Sequence, residues 1–222
     1  MFFLALSCLQ GRPMRDALES LLRLRPDGIQ LTPGNQPSPD FEQSLRQTKH
    51  RTHHGFSPTR WKQAVWRDDG ACAVISDSVH APLLKDPAAA TFLDRPNEVL
   101  PVLETMYPGY ALGSGQALDD AMNRSLRLAV DISHVFLQRH AGVIGEATWA
   151  RLQDYEHIAE VHVSRNDGRS DAHLPLTADT FGLEWALARL RAGTPVILES
   201  YFHRLPEPAR QAQCALFEEA RA

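Results

Sequence analysis

Short apolar segments alternate with longer amphipathic segments along most of the chain. Apolar residues at i, i+3 and i+4 spacing are typical of helices, and they occur at 12–25, 116–127, 145–155, 178–193 and 206–222. Two weaker stretches, at 38–47 and 57–66, are also predicted as helices because each has a Ser-Pro start. Eight further segments, most of them short apolar runs, are predicted as buried strands, and they lie at 2–6, 28–32, 48–54, 71–76, 98–104, 128–133, 158–164 and 195–199.

The alternation of strand and helix repeats eight times in 222 residues. It predicts parallel pairing, because each helix carries the chain back to start the next strand in the same direction. Eight such units predict a compact (β/α)8 TIM barrel, and the chain length lies near the lower limit of about 200 residues for that fold. We therefore expect a single α/β domain over residues 1–222, with a doubly wound open sheet as the alternative.

The composition is that of an ordinary globular protein. Hydrophobic residues make up 43% of the chain, which is enough for a sizeable core, and the formal net charge is -4. Basic residues are scattered singly, so no basic stripe predicts nucleic-acid binding. No stretch approaches the roughly eighteen apolar residues of a membrane span. These features favour an enzyme or a binding protein that acts on small molecules.

The N-terminal segment and the cysteines indicate the compartment. MFFLALSC lacks the positively charged region of a signal peptide, so we interpret it as the first buried strand. Cys8, Cys72 and Cys214 are odd in number and far apart, without CxxC spacing. They are predicted to be reduced, mostly buried thiols of a cytoplasmic protein.

Ionisable side chains recur at the ends of the predicted strands. In a TIM barrel all the carboxyl ends of the strands meet at one mouth, which is where catalytic groups cluster. Every strand end from the third to the eighth offers a potential metal ligand. The candidates are His53 or His54, then His80, Glu104, Asp131, His134, His162, Asp171, His173 and Glu199.

A mixed set of imidazoles and carboxylates indicates the kind of metal. Such donors suit Zn²⁺, Mn²⁺ or Fe²⁺, whereas a site for Mg²⁺ or Ca²⁺ would contain fewer histidines. Nine donors exceed what one ion can use, so one to three ions per chain are expected. Adjacent strand residues face opposite sides, so that only one of His53 and His54 can face the metals. The residue types do not decide which ion binds, because imidazole and carboxylate accept several first-row metals.

Four stretches together resemble the xylose-isomerase-like TIM-barrel superfamily. They are ETMYPGYALGSG at 104–115, LAVDISHVFL at 128–137, HVSRNDGRSDAHLPL at 162–176 and PVILESY at 195–201. The superfamily includes endonuclease IV, sugar isomerases and epimerases, and multinuclear iron enzymes that oxidise peptides. The resemblance spans about residues 48 to 201, and it implies a TIM barrel with divalent metals at its mouth.

The resemblance to endonuclease IV implies roles for all nine donors. There a glutamate, an Asp-x-x-His pair, a histidine, an Asp-x-His pair and a last glutamate bind three zinc ions with two earlier histidines. Those roles would fall on Glu104, Asp131 with His134, His162, Asp171 with His173, and Glu199, with His53 and His80 as the earlier pair. The chain departs from the pattern at Thr105, where asparagine is common, and at Lys49, His50 and Arg51, where relatives are apolar.

The number of metals decides which chemistry the resemblance implies. One ion held by Glu104, Asp131, His162 and Glu199 would polarise a hydroxy-ketone while a carboxylate moves a proton between carbons. Two or three ions could activate water against a phosphoester, and iron could activate O₂. Glu104 and Glu199 are the predicted catalytic residues in each case.

Three further side chains are predicted to contact the substrate. Arg165 and Arg169 flank the loop after the seventh strand, where they could bind a phosphate or carboxylate, and His54 is the third. We predict a metal-dependent isomerase or epimerase acting on a small polar, sugar-like or phosphorylated substrate. The alternatives are a multinuclear phosphoesterase, an iron oxidase and a metal-binding barrel without activity, which would have closed coordination positions.

Overall fold

The structure is a computed structural model that describes residues 1–221. Its eight strands are β1 (Phe2–Ala5), β2 (Gly28–Leu31), β3 (His50–Thr52), β4 (Ser78–His80), β5 (Val102–Glu104), β6 (Leu128–Asp131), β7 (Ile158–Val163) and β8 (Val196–Leu198). Its α-helices are α1 (Met14–Leu22), α2 (Phe41–Leu45), α3 (Gly115–Asn123), α4 (Ile132–His140), α5 (Glu146–Gln153), α6 (Leu183–Arg191), α7 (Glu207–Ala215) and α8 (Glu218–Arg221).

The strands form a nearly closed parallel barrel, which confirms the predicted fold. Their order in the sheet is β3-β2-β1-β8-β7-β6-β5-β4, and each neighbouring pair is parallel. The two ends of this order approach each other at a single parallel bridge between His53 and Ser78. A hydrogen bond from the backbone amide of His54 to the carbonyl of Ser78, 2.9 Å long, supports that contact.

Helices cover the outside of the barrel through their apolar faces. In α1, the buried residues Met14, Ala17, Leu18 and Leu21 recur at helical spacing and pack on the strands. Behind β1, the ring of Phe2 stacks on Phe217 with centroids 4.5 Å apart. The C-terminal segment therefore closes the layer beside the first strand. Within residues 1–221, no helix is long and apolar enough to cross a bilayer.

The structure corrects the predictions for 57–77. Residues 57–66 form turns and extended chain, because Val65 is the only apolar side chain in that segment that is fully buried. The apolar run at 71–76 is a loop in which Ile75 is fully exposed. The fourth strand begins at Ser78 instead, where it pairs with β5. An apolar run predicts a strand only where a neighbouring strand is available to cover it.

The sixth strand also ends earlier than predicted. The strand was expected at 128–133, but α4 begins at Ile132. Its start is capped by Asp131, whose side-chain oxygen Oδ1 accepts hydrogen bonds from the backbone amides of Ser133 and His134. His134 therefore lies on the first turn of a helix.

Candidate metal centre

The register of the strands gathers the predicted donors at the carboxyl mouth of the barrel. His80 on β4 is paired with Glu104 on β5, and Asp131 on β6 is paired with His162 on β7. Glu199 directly follows β8. Side chains at paired positions in parallel strands point to the same side of the sheet. The members of each pair therefore lie on the same side of the sheet, and Glu199 lies 3.4 Å from His162.

Glu104 lies at the centre of four imidazoles. Its carboxylate oxygens lie 3.0 Å from Nε2 of His53, 3.5 Å from Nε2 of His80, 3.1 Å from Nδ1 of His134 and 3.4 Å from Nδ1 of His162. The side chain is 1% exposed. Burial opposes its ionisation, but the surrounding imidazoles outweigh burial and hold the pKa of Glu104 well below its usual range. A buried anion at this point attracts cations.

The seventh and eighth strands supply a second side of the site. Nδ1 of His162 lies 3.4 Å from Oε1 of Glu199, as well as 3.4 Å from Glu104. Burial lowers the pKa of His162, yet the charges of Glu199 and Glu104 raise it well above its usual range. The ring therefore lies between two carboxylates, which is an arrangement that a divalent cation would also favour.

The loop after β7 adds Asp171 and His173 to the site. Oδ2 of Asp171 lies 3.2 Å from Nε2 of His134 and 3.2 Å from Nε2 of His173. Nε2 of His134 also lies 3.7 Å from Oδ2 of Asp131. Burial raises the pKa of Asp131 to about 7, and the neighbouring carboxylates add to the effect although His134 opposes it. The group of acids is therefore only partly neutralised by protein cations.

Unpaired polar atoms show that this group of side chains fits a metal. Six of the donors have a buried nitrogen or oxygen that makes no well-formed hydrogen bond within residues 1–221, although some of these atoms lie only 3.0–3.7 Å from another donor. Leaving such an atom unpaired costs about 1–3 kcal/mol. The atoms are Glu104 Oε2, Asp131 Oδ2, His134 Nε2, His162 Nδ1, Asp171 Oδ1 and His173 Nδ1.

Three overlapping triads of donors lie close enough to hold ions. Within each triad the ligand atoms are within 4.8 Å of one another. The triads are His53 with Glu104 and His162, Glu104 with Asp131 and His134, and Asp131 with His162 and Glu199. Each combines nitrogen and oxygen ligands, as Zn²⁺, Mn²⁺ and Fe²⁺ sites do.

Of the two adjacent histidines, His53 faces the acids. His53 is 3% exposed and its Nε2 is the imidazole nitrogen nearest to Glu104. His54 turns away with a positive φ of 46°, and its ring stacks on His80 with centroids 3.7 Å apart. Burial lowers the pKa of His54 to about 4. His54 lines the cavity at the mouth, next to the donors, and does not point toward Glu104.

The two arginines predicted to bind substrate lie away from this cavity. The cavity has a volume of about 170 Å³ and is lined by donors together with Ser7, Gln10 and Tyr201. Nε of Arg165 donates to the carbonyl of Pro175 at 3.0 Å, along its own loop, and Arg169 is exposed. Neither arginine is among the residues that line the cavity.

Sequence reasoning missed a buried layer beneath the donors. It consists of Gln30 on β2, Arg51 on β3, Ser78 on β4 and Glu160 on β7, which are linked by hydrogen bonds. Burial would raise the pKa of Glu160, but the hydrogen bond from His162 and the charge of Arg51 bring it to about 2. The alternation of Glu160 and His162 along one strand, which places both on the same face, was the available signal.

Comparisons with known proteins support the fold alone. No protein-family model matches the chain, and no curated protein matches it in sequence. Among solved structures, the crystal structure of a D-tagatose 3-epimerase-like protein matches with a TM-score of 0.62 at 14% sequence identity. The match covers 99% of this chain and 96% of the other. The chain therefore shares the TIM-barrel fold of that protein, as the alternation of strands and helices predicted.

Proposed function

We propose that the protein is a divalent-metal-dependent isomerase or epimerase acting on a small polar, sugar-like substrate. The proposal rests on the convergence of Glu104, Asp131, His162 and Glu199, from four successive strands, on one buried point. Two of these donors are glutamates, and each lies 3.4 Å from Nδ1 of His162. This arrangement is suited to removing a proton from one carbon and returning a proton to the same or an adjacent carbon.

The residues of this chain would perform the proton transfers. Glu104, Asp131, His162 and Glu199 would hold the metal, which when bound polarises a carbonyl or hydroxyl oxygen and acidifies the neighbouring C–H. Glu199 faces the cavity that contains Tyr201 and Gln10, so it is placed to take or return a proton at a substrate carbon. Glu104 is the second carboxylate, held ionised among the imidazoles.

The cavity supports a small substrate with several hydroxyl groups. Its volume of about 170 Å³ is suited to a small molecule. Ser7, Gln10, Thr32 and Tyr201 line it, and their hydroxyl and amide groups can donate to and accept from a polyol. The net charge of -4 also opposes the phosphate contacts that dominate nucleic-acid affinity.

The decisive experiment combines metal analysis with a hydrogen-exchange assay. Protein purified without added metal is analysed for bound elements, and protein loaded with Mn²⁺ or Co²⁺ is incubated with a panel of ketoses and aldoses in D₂O. An isomerase or epimerase should contain about one equivalent of metal and should incorporate deuterium at the reacting carbon. Metal-stripped protein is the control. Metal-loaded protein that exchanges no carbon-bound hydrogen in any substrate of the panel would contradict the proposal.

A second candidate function is multinuclear metal catalysis. It is favoured by the donors that a single-ion site would leave unused, namely His53, His80, His134, Asp171 and His173. Two or three ions would place a water-derived nucleophile against a phosphoester, or would support oxidation if the metal were iron. Two to three equivalents of zinc with phosphoesterase activity would favour the hydrolase. Two or more equivalents of iron with O₂ consumption would favour the oxidase, and bound metal with no reaction would favour a binding protein.

A further inference from the structure

Glu160 is a buried carboxylate directly beneath the donor group. It precedes His162 by two residues on β7, so both side chains point into the barrel. Its side chain is 0% exposed, and one of its oxygens accepts a hydrogen bond from Nε of Arg51 at 2.8 Å. Arg51 is one of the polar residues of the third strand that departs from the pattern of the relatives. Arg51 and Glu160 therefore form an ion pair inside the barrel, below the mouth that carries the donors.

The contact between Glu160 and His162 determines which ring nitrogen is free. Nε2 of His162 lies 3.0 Å from Oε1 of Glu160. An ionised carboxylate can only accept a hydrogen bond, so this nitrogen must carry the proton. In the neutral ring, which is the form that binds a metal ion, the lone pair is then on Nδ1, the nitrogen that lies 3.4 Å from both Glu104 and Glu199. Nε2 of Gln30 lies 3.1 Å from the same nitrogen of His162 and 3.3 Å from Oε1 of Glu160, and in this arrangement its amide hydrogen goes to the carboxylate, because a protonated Nε2 cannot accept it.

The same carboxylate reaches His53 through Ser78. The hydroxyl of Ser78 donates a short hydrogen bond to Oε1 of Glu160. A hydroxyl has a single proton, so Ser78 can only accept from Nδ1 of His53, which lies 2.8 Å away. Nδ1 of His53 therefore carries the proton. The lone pair of His53 is on Nε2, the nitrogen that lies 3.0 Å from Glu104.

We propose that Glu160, anchored by Arg51, is a positioning residue that sets opposite tautomers in two candidate metal ligands, directly in His162 and through Ser78 in His53. The inference rests on the proposed metal-binding role of these histidines. In both rings the free nitrogen then faces Glu104, at 3.0 Å for His53 and 3.4 Å for His162. A histidine that must change its tautomer or rotate before it binds a cation loses affinity, and removal of such an orienting partner typically weakens metal binding by about 10–100-fold.

The test is a titration of the metal-stripped full chain with Co²⁺, followed by its visible absorption. We expect Glu160→Leu to weaken Co²⁺ binding by about 10–100-fold and to change the intensity or position of the absorption bands. Glu160→Gln still accepts a hydrogen bond through its carbonyl oxygen, so it should restore much of the affinity. Ser78→Ala breaks only the branch to His53, and it should weaken binding less than Glu160→Leu does.

Gln213 provides the matched control. It is a buried polar residue on α7 that bonds the backbone of Leu176 through both side-chain atoms and makes no hydrogen bond to a donor side chain within the described residues. Gln213→Leu should lower the melting temperature and leave the Co²⁺ affinity and spectrum unchanged. If Glu160→Leu does not fold, the double variant Arg51→Leu with Glu160→Leu removes both charges together and takes its place.

The outcomes separate this inference from the proposed function. Co²⁺ affinity and spectrum unchanged in Glu160→Leu, or in the double variant, would overturn the inference alone. Equal loss of affinity in Glu160→Leu and Gln213→Leu would also overturn it, because the effect would then be general destabilisation. A wild-type chain that binds no Co²⁺ would overturn the proposed metal dependence, and the inference with it.

Discussion

Asp131 contacts His134 in two ways, with a different carboxylate oxygen in each. Oδ1 accepts the backbone amide hydrogen of His134 at 3.0 Å and thereby caps α4. Oδ2 lies 3.7 Å from Nε2 of the same residue, on the side of the donor group, where it has no hydrogen-bond partner in the described chain. One side chain thus both starts a helix and orients a candidate ligand carried by that helix.

This division predicts that the two roles of Asp131 can be separated by substitution. Asparagine is as good a helix cap as aspartate, so Asp131→Asn should keep most of the stability while removing the charged oxygen that faces the site. We expect it to bind Mn²⁺ or Co²⁺ at least about 10-fold more weakly, by analogy with the loss of orienting or ligating groups. Asp131→Ala should additionally lower the free energy of unfolding by about 0.5–2 kcal/mol. Isothermal titration and urea denaturation measure the two effects.

A cap elsewhere serves as the control for Asp131. Ser114 caps α3 by accepting the amide hydrogen of Ala117 and does not contact the donors. Ser114→Ala should lower stability by a similar amount without altering metal affinity. Equal metal affinity in the wild type and Asp131→Asn would show that Oδ2 is not a ligand.

The proposed proton transfer predicts a loss of turnover in Glu199→Gln. An amide has no basic oxygen to take a proton, and general acid–base groups contribute about 10²–10⁴-fold to rate. The turnover rate of the variant, divided by the amount of bound metal, should therefore fall by this factor. Elemental analysis measures the bound metal. Glu184 on α6 is exposed, so Glu184→Gln is the control and should retain full activity. Undiminished turnover per metal in Glu199→Gln would contradict its role.

Metal binding predicts a higher melting temperature. A ligand present at 100 times its dissociation constant stabilises the folded state by about 2.7 kcal/mol, which corresponds to roughly 5–10 °C for a chain of this size. Addition of Mn²⁺, Co²⁺ or Zn²⁺ to stripped protein should produce such a shift in differential scanning calorimetry. Glu104→Gln lacks the central carboxylate, so metal addition should raise its melting temperature by much less. A shift of equal size in both proteins would indicate that the ions bind elsewhere.

The Asp171–His173 pair predicts how the stability of the metal-free protein depends on pH. Burial opposes the charge on His173, but the hydrogen bond to Asp171 outweighs it and raises the pKa of His173 to about 9. When folding raises the pKa of a histidine, its protonated form stabilises the folded state at any pH below the pKa of the unfolded chain, about 6.5. This stabilisation is lost as the pH rises through the pKa of the folded state. The free energy of unfolding should therefore fall between pH 6.5 and pH 9.5.

His173→Asn should remove that part of the pH dependence. His173 has a positive φ of 45°, which asparagine tolerates better than most residues, so the substitution leaves the backbone largely unstrained. Urea denaturation of both proteins at pH 6.5 and 9.5 measures the difference in slope. If the free energy of unfolding decreases equally in the wild type and the variant between pH 6.5 and 9.5, other groups cause the pH dependence.

Most of the fold followed from local patterns. The amphipathic stretch at 12–25 and the apolar run at 2–6 became α1 and β1, because their buried faces were already evident in the spacing of apolar residues. The prediction of the fourth strand at 71–76 was wrong, because the sequence alone does not show whether an apolar run has a neighbouring strand to pair with. His80 and Glu104 pair across β4 and β5 only after the barrel has formed.

The sequence by itself determined that imidazoles and carboxylates stand at successive strand ends, because the period of the pattern and the direction of parallel strands are properties of the local chain. Tertiary structure decided that His53 rather than His54 faces Glu104, and that Glu160 lies beneath His162 with Ser78 and Arg51. The contacts of Glu104 with His53 and of Glu160 with Ser78 and Arg51 join residues 51 to 109 positions apart. They depend on strand register and barrel closure, which no short stretch of sequence specifies.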